Sequence, residues 1–270
     1  MPVSILERPA PPPDQRLPYG EEKLQYADLR LPDGPGPHPV VVNVHGGFWR
    51  AKYDLEHASH LCAALTEAGY TTWNLEYRRV GNEGGGWPGT FLDAAKGTDY
   101  LRTIALEYNL DLDRVIVMGH SAGGHLALWL TGRHRLSPGT PLYDPQPLPL
   151  HAAISLAGVV DLRWASAQRL SDDGEATDRL MGGRPAEYPE RYDIASPIEL
   201  LPLGVPQILL HGTADSRVPF EISQRYVDAA RAQGEEVELV ALPGAGHFEL
   251  IDPETKEWGA VMEAVRRVLG

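Results

Sequence analysis

The sequence predicts an α/β fold: a mainly parallel central sheet flanked by helices on both faces. Two observations carry that expectation. Short apolar runs of strand length alternate along the chain with longer stretches of helical periodicity. In addition, the β-branched run Arg114-Val115-Ile116-Val117-Met118 leads through Gly119-His120-Ser121-Ala122-Gly123 into an apolar helical stretch over 122–130. A serine therefore stands on a sharp strand-to-helix turn. The 270 residues, 43% hydrophobic and 23% charged, suit one large globular domain with a full core.

Taken in order, residues 1–19 carry Pro9, Pro11, Pro12, Pro13 and Pro18 and are expected to form an extended arm lying on the body. Residues 20–270 are read as a single domain. A first strand or hairpin is predicted around 23–31, followed by the turn residues Pro32-Asp33-Gly34. Buried strands are predicted at 40–44, 71–75, 115–118, 152–156, 207–210 and 237–242. Helices are predicted at 57–68, stopping at Gly69, and at 90–108, with Leu92, Ala95, Tyr100, Leu101 and Ile104 along one side. Two more are predicted at 222–233, stopping at Gly234, and at the C-terminus, where Trp258, Val261, Met262, Val265, Val268 and Leu269 recur at helical spacing. The long Pro-, Gly- and charge-rich stretch 161–203 is expected to form a small helical insertion over the active site, before the strand that carries the acid.

Charge and cysteine usage narrow the partners. A net charge of −13 argues against nucleic acid, whose binding needs a surplus of Lys and Arg, and against an anionic membrane surface. Cys62 is the only cysteine, so no internal disulfide can form, and its place on an apolar helix face makes it a small core residue. With no basic start leading into an apolar stretch, and no run near the roughly 18 apolar residues of a membrane span, a cytoplasmic protein is expected. The oligomeric state is not legible.

A serine hydroxyl needs a base to take its proton and a third group to orient that base. On this kind of turn the expected chain order is Ser, then Asp or Glu, then His. Two loops after Ser121 qualify, each at the C-terminal end of a predicted strand: Leu209-Leu210-His211-Gly212-Thr213-Ala214-Asp215 and Leu242-Pro243-Gly244-Ala245-Gly246-His247. Asp215 and His247 are the expected acid and base. Asp161 comes too early in the strand order, and Asp252 follows the histidine and is expected to stabilise the next turn. Asn43-Val44-His45-Gly46-Gly47-Phe48-Trp49 directly follows another buried strand, and its glycines let backbone N–H groups approach a developing oxyanion. Gly47, Phe48 and Ala122 are the expected donors, with His45 holding the loop's shape. These residue types in this order imply nucleophilic serine chemistry on an acyl bond.

The His-Gly-Gly-Phe-Trp loop, the Gly-His-Ser-Ala-Gly-Gly elbow, the His-Gly-Thr-Ala-Asp loop and the Gly-Ala-Gly-His loop together resemble the α/β-hydrolase superfamily. The resemblance runs from about Val40 to the C-terminus and is nearest to the esterase/lipase branch, close to kynurenine formamidases and prolyl oligopeptidase-type catalytic domains. It implies a serine hydrolase that cleaves small carboxylic esters through an acyl-enzyme, with no cofactor. Where the hormone-sensitive-lipase-like branch has a third glycine this chain has Phe48, and kynurenine formamidases are similar there, with an aromatic followed by Trp. An arylformamidase-type amide hydrolase is therefore the alternative. No propeller domain accompanies the match, which sets the peptidase reading lower, and a non-catalytic binding module commonly loses a triad member, whereas all three are present.

The remaining features are softer. Gly84-Gly85-Gly86-Trp87-Pro88-Gly89 lacks the Lys-Ser ending of a phosphate loop and is expected to bring Trp87 toward the pocket. Phe48, Trp49, Trp87 and Trp164 are expected to line an apolar substrate site. Arg78 is expected in a structural ion pair, and His120 and His125 in structural roles. His57 and His60 lack a third ligand at metal-binding spacing, so no metal is expected.

Overall fold

The computed structural model describes residues 4–270; the first three residues of the expected arm lie outside the described residues. The strands are β1 (Gln15–Pro18), β2 (Tyr26–Arg30), β3 (His38–Val44), β4 (Thr71–Leu75), β5 (Leu110–His120), β6 (Ala152–Leu156), β7 (Gln207–Gly212) and β8 (Val237–Leu242). They form one eight-stranded sheet in the order β1-β2-β4-β3-β5-β6-β7-β8. β1 and β2 are antiparallel at one edge, and every pairing from β4 to β8 is parallel.

Helix α1 (Ser59–Glu67) follows β3; α2 (Gly89–Asp99) and α3 (Leu101–Ile104) follow β4; α4 (Ala122–Gly132) follows β5. After β6 come α5 (Leu162–Ala167), α6 (Ala176–Met181) and α7 (Pro189–Ala195), and α8 (Glu221–Ala232) and α9 (Trp258–Leu269) complete the chain.

The central strands show no exposed face because they are buried on both sides, and their period-two alternation sorts the side chains into two cores. Val40, Val42, Val44, Val115 and Val117 face one side and pack with α2, α4 and α8 through Phe91, Leu126 and Tyr226. Val41, Ile116, Met118 and Ile154 face the other and pack with α1 and α9 through Leu61, Cys62, Val261 and Val265. Cys62 is the expected core residue, and burial pushes its thiol up to about 12. Every residue of α4 is buried, as befits a helix apolar on all sides.

Three features differ from the sequence expectation. The arm ends in a strand, β1, and Pro18 is accommodated because β1 lies at the sheet edge. The helix expected over 90–108 divides into α2 and α3, where the Trp73 indole N–H donates to the Gly97 carbonyl at 2.9 Å and so competes with the helix's own hydrogen bond there. The 161–203 stretch is helical, but Leu162, Ala165, Leu180 and Tyr192 extend the first core beside α4 rather than roofing the site; Asp172 reaches the site's mouth.

The far end of α4 is fixed by charge. Arg133 has a side chain only 1% exposed, and its guanidinium grips the Asp99 carboxylate at the end of α2 through both nitrogens, one at 2.8 Å. Asp99→Ala leaves that guanidinium buried and unpaired, so it should destabilise the fold by about 3 kcal/mol. A thermal melt should then show a fall of roughly 6–12 °C; an unchanged melting temperature would contradict the anchor.

Candidate active site

Ser121 has φ 56° and ψ −118°, a conformation that a side chain adopts only when its surroundings enforce it. Its N–H donates to the Leu156 carbonyl at 2.8 Å, and its own carbonyl accepts from His125 and Val159 at 3.2 and 3.3 Å. The flanking glycines are demanded by contact. A Cβ at Gly119 would lie 2.1 Å from the Gly123 carbonyl oxygen, and one at Gly123 would lie 1.9 Å from the Val44 carbonyl oxygen. The elbow thus sits against the end of β3, with the N-terminus of α4 behind the serine.

Asp215 follows β7 and divides its two oxygens between two tasks. Oδ1 accepts from the backbone N–H groups of Arg217 and Val218 at 2.8 and 2.9 Å, which is a turn-forming role. Oδ2 accepts from His247 Nδ1 at 2.6 Å and lies 3.4 Å from His211 Nε2. Burial alone would push this carboxyl up, but the bonds from His211 and His247 outweigh it and hold it well below the usual carboxylate range. An ionised Asp215 on Nδ1 fixes the tautomer that leaves His247 Nε2 as the proton acceptor. Ser121 and His247 line one cavity; a hydrogen bond from Oγ to Nε2 is not among those the described residues make, and such bonds often tighten only around substrate.

His120 lies under His247, with ring centroids 4.5 Å apart, and its Nε2–H donates to the His247 carbonyl at 2.8 Å. Burial, and then the neighbouring His247, push its pKa well below the ordinary histidine value, so the neighbour of the expected base stays neutral. His125 is likewise held neutral: burial brings it to about 4.

The loop after β3 takes Gly47, Phe48 and Trp49 through φ values of 111°, 50° and 54°. A Cβ at Gly46 would lie 2.8 Å from the His120 carbonyl oxygen, so this loop rests directly on the elbow. His45 holds it as expected. Its Nδ1 lies 2.8 Å from the Gly46 carbonyl oxygen and its Nε2 3.1 Å from Glu76 Oε1, and its ring stacks on Tyr77. Sequence reasoning passed over Glu76. Its buried carboxylate also accepts from the Tyr77 and Leu55 N–H groups and pairs with Arg79 at 3.0 Å. Burial would raise Glu76, but His45 and Arg79 prevail and hold it below its usual value. The available signal was a glutamate placed directly after a strand predicted to be buried.

Ser121, His247, His120, Gly47, Phe48 and Phe248 line a cavity of about 100 Å³, closed further by Leu6, Tyr53 and His57 and rimmed by Arg50, Asp172 and Arg217. Burial, then His45, lowers His57 to about 3, so it presents a neutral ring. Of the aromatics expected at a substrate site, Phe48 is in place and the three tryptophans are not. Trp49 is fully buried, and its indole donates to His125 Nδ1 at 3.2 Å. Trp87 packs edge-on against Phe91 and under Arg191, with its backbone N–H tied to Leu180. Trp164 lies in the first turn of α5, half-buried on the first core beneath Arg225. Each fills the scaffold because indole area is worth more in a core than at a small mouth. Arg78 is the expected ion-pair partner, fork-to-fork with Asp93 at 2.8 Å twice, and Asp252 pairs with Arg8 and caps its own turn.

Comparison with known proteins follows the same lines. A family model described as BD-FAE matches residues 27–229. Esterase LipC of Mycobacterium tuberculosis (strain ATCC 25618 / H37Rv) is 29% identical over 88% of this chain and 60% of its own length. Esterase LipQ of the same organism is 30% identical over 94% of this chain and 61% of its own, so the chain spans about three fifths of the length of these relatives. A solved carbohydrate esterase from gut microbiota, in truncated form, superimposes with a TM-score of 0.78 at 21% identity, over 97% of each chain, a likeness of fold.

Two outcomes test this geometry. Gly123→Ala drives a methyl into the Val44 carbonyl and displaces the loop after β3 from the elbow. Labelling of Ser121 by a fluorophosphonate should slow at least about tenfold; unchanged labelling would refute the contact. Because the folded-state pKa of Asp215 is depressed, its charge stabilises the fold above its unfolded value near 3.8, and that contribution fades as the pH falls through the lower folded value. The melting-temperature deficit of Asp215→Asn should therefore be full at neutral pH and narrow below about pH 4. A deficit that stays constant down to pH 3 would contradict this.

Proposed function

The chain belongs to the BD-FAE family, an esterase type of α/β-hydrolase, and on that premise we propose that it is a serine carboxylesterase acting on small carboxylic esters. The observation that carries the reading is the 2.6 Å bond from His247 Nδ1 to Asp215, in the cavity that Ser121 lines from its strained turn.

Ser121 Oγ attacks the ester carbonyl while His247 Nε2 takes its proton. Asp215 orients the imidazole and stabilises its charged form. The N–H groups of Gly47, Phe48 and Ala122 receive the oxyanion, at a gain of several kcal/mol in the transition state. His247 then protonates the leaving alcohol, and a water activated by the same histidine releases the acid. The reaction so drawn needs no cofactor. A cavity of about 100 Å³ is well below the roughly 300–1,000 Å³ of sites for drug-sized ligands, which favours short acyl groups. The names of the relatives LipC and LipQ, both esterases, support the ester over the aryl amide, and the burial of Trp49 takes away one of the two aromatics, Phe48 and Trp49, on which an arylformamidase reading drew. A cytosolic location belongs to the same proposal, and the single, fully buried cysteine fits a reducing compartment. No helix among the described residues is long and apolar enough to cross a membrane.

Turnover of p-nitrophenyl acetate, butyrate and octanoate, beside N-formylkynurenine, tests the proposal. Acetate and butyrate should be preferred, and Ser121→Ala should reduce kcat by about 10⁴-fold or more. Preference for the formamide, or full activity in Ser121→Ala, would overturn it.

A further inference from the structure

The rim of the cavity carries a pair of arginines that the proposed hydrolysis leaves without a task. Arg50 closes the oxyanion loop and Arg217 lies two residues beyond Asp215, so the two guanidiniums approach the mouth from opposite loops. Between them stands one carboxylate, that of Asp172 on the segment joining α5 and α6. Its Oδ1 lies 2.6 Å from Arg217 Nη1, and its Oδ2 lies 3.9 Å from Arg50 Nη1. We propose that Arg50 and Arg217 form a carboxylate-binding subsite for an anionic ester, and that Asp172 occupies it as a displaceable internal surrogate. The proposal rests on the esterase reading above and adds a substrate class to it.

The two aspartates on this segment are held very differently. Asp173 is fixed: it accepts from Arg50 at 2.5 Å, from Arg179 at 2.9 Å, from Ser171 Oγ at 2.9 Å and from the Glu175 N–H at 3.1 Å. Asp172 has the bond to Arg217 and the longer contact to Arg50, and its side chain is 64% exposed. An exposed ion pair of that kind is weak, whereas a substrate carboxylate arriving at two convergent guanidiniums gains charge-assisted hydrogen bonds to both. Arg50 does not collapse when Asp172 leaves, because Asp173 and Ser171 Oγ still hold it. Its Nε, moreover, is buried without a hydrogen-bond partner among the described residues. The guanidinium also lies over the Phe48 ring at 5.9 Å, so the charge is fixed against the wall of the acyl site itself. On a chain of net charge −13, the two arginines at the mouth are balanced by Asp172 and Asp173, and displacement of Asp172 gives an anionic substrate somewhere to dock.

The test compares each anionic ester with a neutral one of similar size. Monoethyl succinate against ethyl butyrate places the carboxylate on the acyl side; 4-acetoxybenzoate against phenyl acetate places it on the leaving side. The readout is the ratio of kcat/KM within each pair for wild type, Arg217→Gln and Asp172→Asn, so that intrinsic reactivity cancels. In at least one pair, Arg217→Gln should lower the anionic-to-neutral ratio about tenfold and Asp172→Asn should raise it about threefold or more. The pair that responds identifies which side of the ester carries the charge. Opposite signs in the two variants cannot come from a general loss of folding. Ratios that do not change in either pair, or that move in the same direction in both variants, would overturn the subsite and leave the esterase standing. A wild type that turns over none of the four esters would instead remove the esterase reading on which the subsite rests.

Discussion

The close approach of α4 to the end of β3 is the constraint on which the rest of the site depends. The Gly123 Cα lies so near the Val44 carbonyl that a Cβ there would stand 1.9 Å from its oxygen. The neighbouring strand end meets the same crowding at Gly119. That contact keeps Ser121 in its disfavoured backbone conformation, sets the helix N-terminus behind it and lays the Gly46–Gly47 turn against it. Strain in the serine persists because tight packing on both sides leaves the chain no relaxed alternative.

Around this steric centre two buried carboxylates each tie together more than one part of the chain. Asp215 gives one oxygen to its own turn and the other to His247. Glu76 ties the end of β4 to His45 and Arg79 and so stiffens the loop over the elbow. Both stay ionised although burial opposes it, because the compensating bonds are several and short. His120, against the His247 ring, and His57, against the His45 ring, are kept neutral by burial, so neither adds a positive charge beside these pairs.

What was legible in the sequence was whatever local chemistry decides alone. Buried parallel strands declare themselves as short runs rich in apolar and β-branched residues, and glycines on both sides of Ser121 declare a turn that tolerates no side chain. The order of Ser121, Asp215 and His247 follows from which loops end at the same edge of the sheet. What was not legible depends on contacts across the fold. Nothing local distinguishes Trp49, which points into the core and bonds His125, from an aromatic that faces a substrate. The break between α2 and α3 comes from Trp73, on a different element, taking a helix carbonyl. The pairing of β1 with β2 was hidden by the prolines around it, and the convergence of Arg50, Arg217 and Asp172 joins three loops far apart in the chain.

Leu6 is part of the cavity wall. It is held there by the burial of Ile5 and by Arg8, which pairs with Asp252 and Glu254 just past the loop of His247. The family match begins at residue 27, so this part of the wall comes from a segment that the family model does not include. The cavity is thereby walled in part by chain that precedes β1, so its shape depends on that segment as well as on the sheet and the elbow. An affinity tag or a cut near this segment is therefore a change to the cavity wall, although it lies far along the chain from Ser121, Asp215 and His247.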